Sequence, residues 1–409
     1  MVMTTEHKRA KIGVINIKNI YLHILVFTLI YIEFGYLMVV TGAVSGSIRM
    51  MILLAITFPL LFMIKSISRL SLNLIIYLLV LILVNSVRDT SLENSILLII
   101  PIFIGFVIAS SIKFLDLVKV FNSIVVFLAA FSLATFFISL FFPNIIASLP
   151  SLGQVYNSRA SMHNAIFSVC ISNSETVRNY GITWEPGAFS ILLSLSLFSL
   201  LAFEEKPSKL KLSIIIVALI TTFSTMGYFV MAGILLSFSL KQSGTNNKIK
   251  NYAFLILGSF IILMMVLPSS ITDIVFKKLS GLFSEGEDIA YTTLARLNAI
   301  IYPFEAFWSS PIIGVGYDKF SIINKELCDG VATNTILNWF ASMGLLLGIP
   351  CTCAYIKFAV MNAKTAKINF LGKILIVISA VLLVSTESLL RISLIYVFIF
   401  YATKHKDLI

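Results

Sequence analysis

Runs of about 18 or more apolar residues recur from one end of this chain to the other, and a helix of that length crosses a bilayer core of roughly 30 Å. Few chains are so constrained: whatever else it does, this one folds within lipid. Of its 409 residues 58% are hydrophobic and 12% charged, and the mean hydropathy is +0.99, which excludes a water-soluble globular domain because a solvated surface needs more charge. The first apolar run, from Ile20 to Val40, is too long for the core of a cleavable signal peptide and lacks a small-residue cleavage site.

Spans are expected near 20–41, 48–64, 70–86, 94–110, 118–142, 187–203, 210–223, 227–240, 251–268, 334–360, 371–386 and 389–403. The fold class is therefore an all-α polytopic membrane protein of about twelve transmembrane helices, a single integral membrane domain over 1–409. Two segments between spans are long, 143–186 and 269–333, and their tryptophans, tyrosines and isolated Gly and Pro predict folded caps with short helices. No internal repeat is evident, which counts against transporters built from duplicated halves.

Charge orients the array. Twenty of the 30 basic residues, among them Lys8, Lys65, Lys113, Lys206, Lys241, Lys364 and Lys404, fall on one side, which the positive-inside rule makes cytoplasmic, together with both termini. The net charge of +11 is thus a topology signal, and no basic patch with interleaved aromatics points to nucleic acid. The opposite side carries six of the eight arginines (Arg49, Arg88, Arg159, Arg178, Arg296 and Arg391) but four of the 22 lysines. The positive-inside rule treats both types alike, so the split has another origin. Guanidinium fits phosphate oxygens in a planar, bidentate way, which suggests a phosphate-bearing ligand; snorkelling to head groups and pairing with acidic residues are the plainer alternatives.

The stretch "RNYGITWEPGAFSILLSLSL" (178–197) closes the first loop. Pro186 suits the first turn of a helix and Glu185 the positive end of its dipole, a structural account of both that leaves Arg178 and Trp184 unexplained. In the second loop a helix from Arg296 is expected to end at Ser309-Ser310-Pro311, followed by a tight turn at Gly314 and Gly316 whose backbone N–H groups either shape the loop or approach an anion. Glu387 and Arg391, four apart, are expected as a helical pair. Glu33 is a costly intramembrane carboxylate. Cys170, Cys328, Cys351 and Cys353 do not resemble a metal cluster; a bridge between Cys170 and Cys328 is possible if their loops share an oxidising compartment.

Arg178, Gly181, Glu185 and Pro186, with "FSTMGYFVMAGILL" (223–236), resemble the Wzy-type O-antigen and capsular polysaccharide polymerases. Arg296 with Pro311, Gly314 and Gly316, then Asn334, Gly344 and Leu345, resembles the wider family of these polymerases and the O-antigen ligases. The first 140 residues match only as hydrophobic helices. Ligases usually carry His-Asn where Thr333-Asn334 stands and Pro-Asn where Glu185-Pro186 stands, and the outer-face histidine here, His163, lies in the other loop; this favours a polymerase over a ligase.

The resemblance implies a GT-C-like glycosyltransferase in a bacterial cytoplasmic membrane. It would act on oligosaccharides carried by undecaprenyl pyrophosphate, with a chain-length-regulating membrane protein as a further partner. Arg178 and Arg296, then Arg391 and Arg88, are expected to stabilise the pyrophosphate, with Glu185 as general base and Glu387 as its alternative. Arg159, Asn334, Gly314 and Gly316 are further substrate-binding candidates, and Trp184, Tyr291 and Tyr317 could stack on sugars or act as interface anchors. No carboxylate cluster suggests a metal, so metal-independent transfer without a cofactor is expected. A lipid-linked oligosaccharide flippase is the rival from another class; it needs charges along many spans, whereas the arginines here gather at one face.

Overall fold

The structure, a computed structural model, describes residues 17–41, 44–64, 67–86, 92–154, 161–172, 177–240, 291–328 and 333–404. It is mostly helical. Helix α1 (Ile17–Phe34) breaks at Gly35 into the short α2 (Tyr36–Val39) and is followed by α3 (Gly46–Leu61), α4 (Arg69–Ser86), α5 (Leu92–Ser111), α6 (Phe114–Phe141) and α7 (Pro143–Ala147). Strands β1 (Ser151–Gln154), β2 (Ser161–Asn164) and β3 (Val169–Ser172) come next, then α8 (Pro186–Phe203), α9 (Lys209–Thr221) and α10 (Thr225–Ser239). The remainder is α11 (Tyr291–Ser309), α12 (Tyr317–Leu327), α13 (Thr335–Thr365), α14 (Phe370–Val384) and α15 (Ser393–Tyr401).

Each span expected within the described residues contains a helix, although 389–403 begins in a turn and is helical only over Ser393–Tyr401; the segment 251–268 lies outside them. Helices α1, α6, α8 and α13 are long and apolar enough to cross a membrane, and α3, α10 and α14 are shorter apolar helices. Polar residues set the boundaries. Ser45, Ser224, Asn334 and Asn369 each accept a backbone N–H from the first turn of α3, α10, α13 and α14. Pro186 occupies the first turn of α8, where its missing N–H costs nothing.

Small residues let the helices close on one another, the usual device where lipid removes the hydrophobic drive between them. Helix α15 lies along α5 so closely that a Cβ on Gly105 would stand 2.6 Å from the Tyr396 Cβ and 2.8 Å from the Val397 nitrogen. Helices α10 and α14 meet in the same way where Gly233 faces Ser379. Buried Asn122 of α6 accepts hydrogen bonds from Ser196 (3.1 Å) and Ser199 (2.5 Å) of α8, so polar side chains inside the bundle serve each other.

The first long loop differs from the expectation of short helices alone. Alongside α7 it holds a three-stranded antiparallel sheet in the order β1-β2-β3. Strands of four residues, two of them largely polar, carry too little alternation to be read from sequence. His163, in β2, is buried, with both ring nitrogens engaged by the Leu149 carbonyl (3.0 Å) and the Ser172 hydroxyl (2.8 Å). All four cysteines are free: Cys170 is buried beside Thr135, Ser139 and Ser168, and Cys328 donates to the Asn298 carbonyl at 3.5 Å.

The bundle has two unlike ends. One gathers the C-termini of α1 and α14 and the N-termini of α8, α13 and α15, where Glu33, Glu185, Glu387 and Arg391 sit. The chain leaves the far ends of α8 and α13 into Lys206, Lys209 and Lys211 and into Lys364 and Lys367.

Candidate functional site

The site grows from the segment 178–187, and backbone geometry explains its spacing. Gly181 adopts φ +53, its N–H donates to Asn179 Oδ1 (3.0 Å), and a Cβ there would lie 2.5 Å from the Phe189 ring. Only glycine fits both the left-handed conformation and the contact. Buried Asn179 also donates to Ser132 (3.1 Å) and Thr221 (3.0 Å), tying the loop to α6 and α9. On its other flank Tyr36 N–H donates to the Ile182 carbonyl (2.9 Å), and the Trp184 indole stacks on Phe34 at 5.8 Å and 11°. The break at Gly35 therefore clasps the loop.

Arg178 donates through Nε to the Thr222 carbonyl and through Nη2 to the Phe223 carbonyl, both at 3.1 Å. These carbonyls close the C-terminus of α9, where the helix dipole is negative and a cation is stabilising. Tyr180 lies among Arg178, Glu185 and Tyr36, and burial pushes its phenol up against the pull of the Arg178 charge.

Glu185 is the residue before α8, with extended backbone, and its side chain makes no capping bond. The helix-capping account therefore leaves its carboxylate unused. The point where a Cβ on Gly187 would sit is 3.3 Å from Glu185 Oε1 and 3.0 Å from Glu387 Oε1, so two carboxylates far apart in sequence face one another across a glycine. Glu387 is buried, and its Oε2 accepts from Trp184 Nε1 at a long 3.4 Å. Glu185 is half-buried.

Glu387 and Arg391 do not lie on a helix as the i,i+4 spacing predicts, because 385–392 is a turn between α14 and α15. Thr335 holds that turn: its hydroxyl donates to the Glu387 carbonyl (2.8 Å) and accepts from Leu389 N–H (2.9 Å), while Asn338 Nδ2 donates to Ser388 (2.9 Å). Glu387 is thereby turned toward Trp184, and Arg391 stands over the Tyr317 ring with Cζ 4.4 Å from its centroid. Burial pushes the Tyr317 phenol up, and the Arg391 charge opposes it. Glu33 finds a backbone partner: its Oε1 accepts from Ser393 N–H (2.7 Å) at the start of α15.

The Gly314/Gly316 turn is scaffold. Gly314 N–H donates to the Ser310 carbonyl (2.8 Å), Val315 and Gly316 N–H donate to the Ala341 and Ser342 carbonyls (2.9 and 3.0 Å), and Leu345 N–H donates to the Pro311 carbonyl (2.8 Å). The turn inserts where α13 is broken at Gly344 (φ +65, ψ −166), so the glycines at 314 and 344 touch backbone to backbone. With those N–H groups engaged, the turn does not present them to an anion. Asn334 likewise spends its side chain capping α13, accepting from Leu337 N–H at 3.1 Å.

Of the residues expected at one site, the fold brings Arg178, Trp184, Glu185, Asn334, Tyr317, Glu387 and Arg391 to the same end of the bundle. Arg88 and Arg159 lie outside the described residues; Arg296 and Tyr291 are in α11, with their side chains outside the described set. Sequence reasoning passed over Tyr180, Gly187 and Thr335. Only Gly187 left a signal, as the glycine of the Glu-Pro-Gly turn. Among the described residues no three His, Cys, Asp or Glu side chains group as metal ligands would.

Below the site lies a small apolar cavity of about 60 Å³, lined from Glu33 and Phe34 to Phe114 and Phe203. It shares Leu195, Phe198, Phe358, Asn362 and Phe398 with a second apolar cavity between α8, α10, α13 and α14. Compared with known proteins, the chain matches no family model and no curated sequence.

Proposed function

We propose that this protein is a membrane glycosyltransferase that polymerises oligosaccharide repeat units, carried on undecaprenyl pyrophosphate, into O-antigen or capsular polysaccharide. The lysine-rich end of the bundle faces the cytoplasm and the carboxylate end faces outward. An acceptor sugar hydroxyl attacks the anomeric carbon of the donor glycan as the bond from that carbon to the pyrophosphate oxygen breaks. The hydroxyl proton passes to Glu185, and undecaprenyl pyrophosphate leaves with the bonding electrons. No metal or cofactor takes part.

The observation that carries this reading is the pairing of Glu185 with Glu387 across Gly187, with neither carboxylate spent on capping α8. A general base needs reach to the hydroxyl it deprotonates. Half-buried Glu185 is open to an acceptor, whereas buried Glu387, fixed through Trp184 and Thr335, orients the pair. Arginines at the same end suit the charge that develops on the leaving pyrophosphate.

The test is glycan profiling by gel of cells lacking the gene. Loss of the ladder with a single capped repeat retained, and restoration by the wild-type gene, is the expected result. Loss of even the single capped repeat would overturn the reading in favour of a ligase or a flippase.

A further inference from the structure

We infer that Glu33 is a positioning residue: by capping α15 from the end of α1, it holds the turn that carries Glu387 in register with the segment that carries Glu185. Local rules oppose a carboxylate at position 33 twice. It stands in the last turn of α1, at the negative end of that helix's dipole, and it is buried inside a bundle that lies in lipid. The compensation comes from 360 residues away, where Ser393 N–H at the start of α15 donates to Glu33 Oε1 at 2.7 Å. Helix α15 needs that acceptor, because the residue before it is Ile392, which has no side chain to cap with. Helices α3, α10, α13 and α14, by contrast, are each capped by the serine or asparagine immediately before them. A conflict with local rules that is resolved only through a distant element marks a residue kept for what it joins.

The residues that follow Glu33 hold the opposite segment. Phe34 stacks on Trp184, and Gly35 pairs with Thr183 as an isolated antiparallel bridge. Tyr36 N–H donates to the Ile182 carbonyl at 2.9 Å, and the Thr183 hydroxyl donates to the Glu185 carbonyl at 2.7 Å. Residues 33–36 therefore grip the entry to α15 at one end and the stretch 182–185 at the other. The turn 385–392 is fixed near its start by Thr335, which bonds the Glu387 carbonyl and Leu389 N–H, and just past its end by Glu33. Of these two holds, the one from Glu33 is continuous with the grip on the Glu185 segment. That the two carboxylates react with substrate rests on the function proposed above; the clamp that sets them face to face does not.

The experiment reads the clamp without relying on activity. Full-length protein in nanodiscs, with the exposed Cys353 changed to serine and the pair Glu185→Cys and Glu387→Cys introduced, is treated with a short bifunctional thiol reagent, and the rate of cross-linking is followed. Adding Glu33→Leu should slow the cross-link about tenfold or more, because the start of α15 loses its acceptor. Glu33→Gln keeps an oxygen for Ser393 N–H, and Oε2 has no hydrogen-bond partner to lose, so this variant should cross-link within about twofold of its parent. Asn122→Ala, which gives up the Ser196 and Ser199 bonds between α6 and α8, controls for general loosening: it should lower the Tm and leave the rate unchanged. Cross-linking at the parent rate in Glu33→Leu, equal slowing in Glu33→Gln, or equal slowing in Asn122→Ala overturns the inference. A slowed cross-link in Glu33→Leu beside a glycan ladder that survives deletion of the gene leaves the clamp standing and removes the polymerase reading. An unchanged cross-link beside a lost ladder has the opposite meaning.

Discussion

Around Gly314 and Gly344 the chain meets itself backbone to backbone, and the N–H groups of Gly314, Val315, Gly316 and Leu345 all end on nearby carbonyls. Around Gly187 the parts that meet are side chains, the carboxylates of Glu185 and Glu387, with a tryptophan N–H behind one of them. Both places are glycine motifs at the same end of the bundle. Their difference teaches what to ask of such a motif: whether its hydrogen-bonding groups are spent within the fold or left facing a space. By that measure the 311–316 turn is architecture, and the 185–187 turn is the candidate for chemistry.

The comparison can be broken most forcefully at Gly344. Its φ and ψ are accessible essentially to glycine alone, and a Cβ would collide with the Ile312 and Gly314 backbone. Gly344→Ala should destabilise by about 3 kcal/mol or more, read as loss of folded protein in detergent; normal accumulation would remove the interlock from the account. Arg178→Ala comes next, at about 2 kcal/mol, because it leaves the Thr222 and Phe223 carbonyls without their charged donor. A lowered Tm is expected even without substrate, and an unchanged Tm would return Arg178 to a purely ligand-binding role.

Gly187→Ala sharpens the other side. The added methyl would press on the tips of two flexible carboxylates and not on backbone, so the fold should survive within about 1 kcal/mol while polymer yield falls about tenfold. Equal yield would mean that the carboxylate pair is not part of the reaction. The smallest effect belongs to Asn334→Ala, which loses a helix cap worth about 1 kcal/mol and should leave turnover per folded molecule unchanged.

Much of the fold was legible because long apolar runs have one solution in lipid, and caps such as Ser224 and Asn369 mark helix starts. The sheet was not, since its strands are short and polar. The site was legible as a list of residues but not as an arrangement. Glu387 and Arg391 have the spacing of a helical pair, but Thr335 and Asn338, arriving from α13, bond to that segment as a turn, with Glu387 beside Trp184 and Arg391 over the Tyr317 ring.

The most direct measurement is chain elongation by purified protein in nanodiscs supplied with a lipid-linked repeat unit, wild type against Glu185→Gln at matched Tm. A general base predicts that the amide variant stays folded and loses about 100-fold or more of its rate. A Glu185→Gln protein that elongates chains at the wild-type rate would reduce Glu185 to a residue at the mouth of a helix and contradict the central claim.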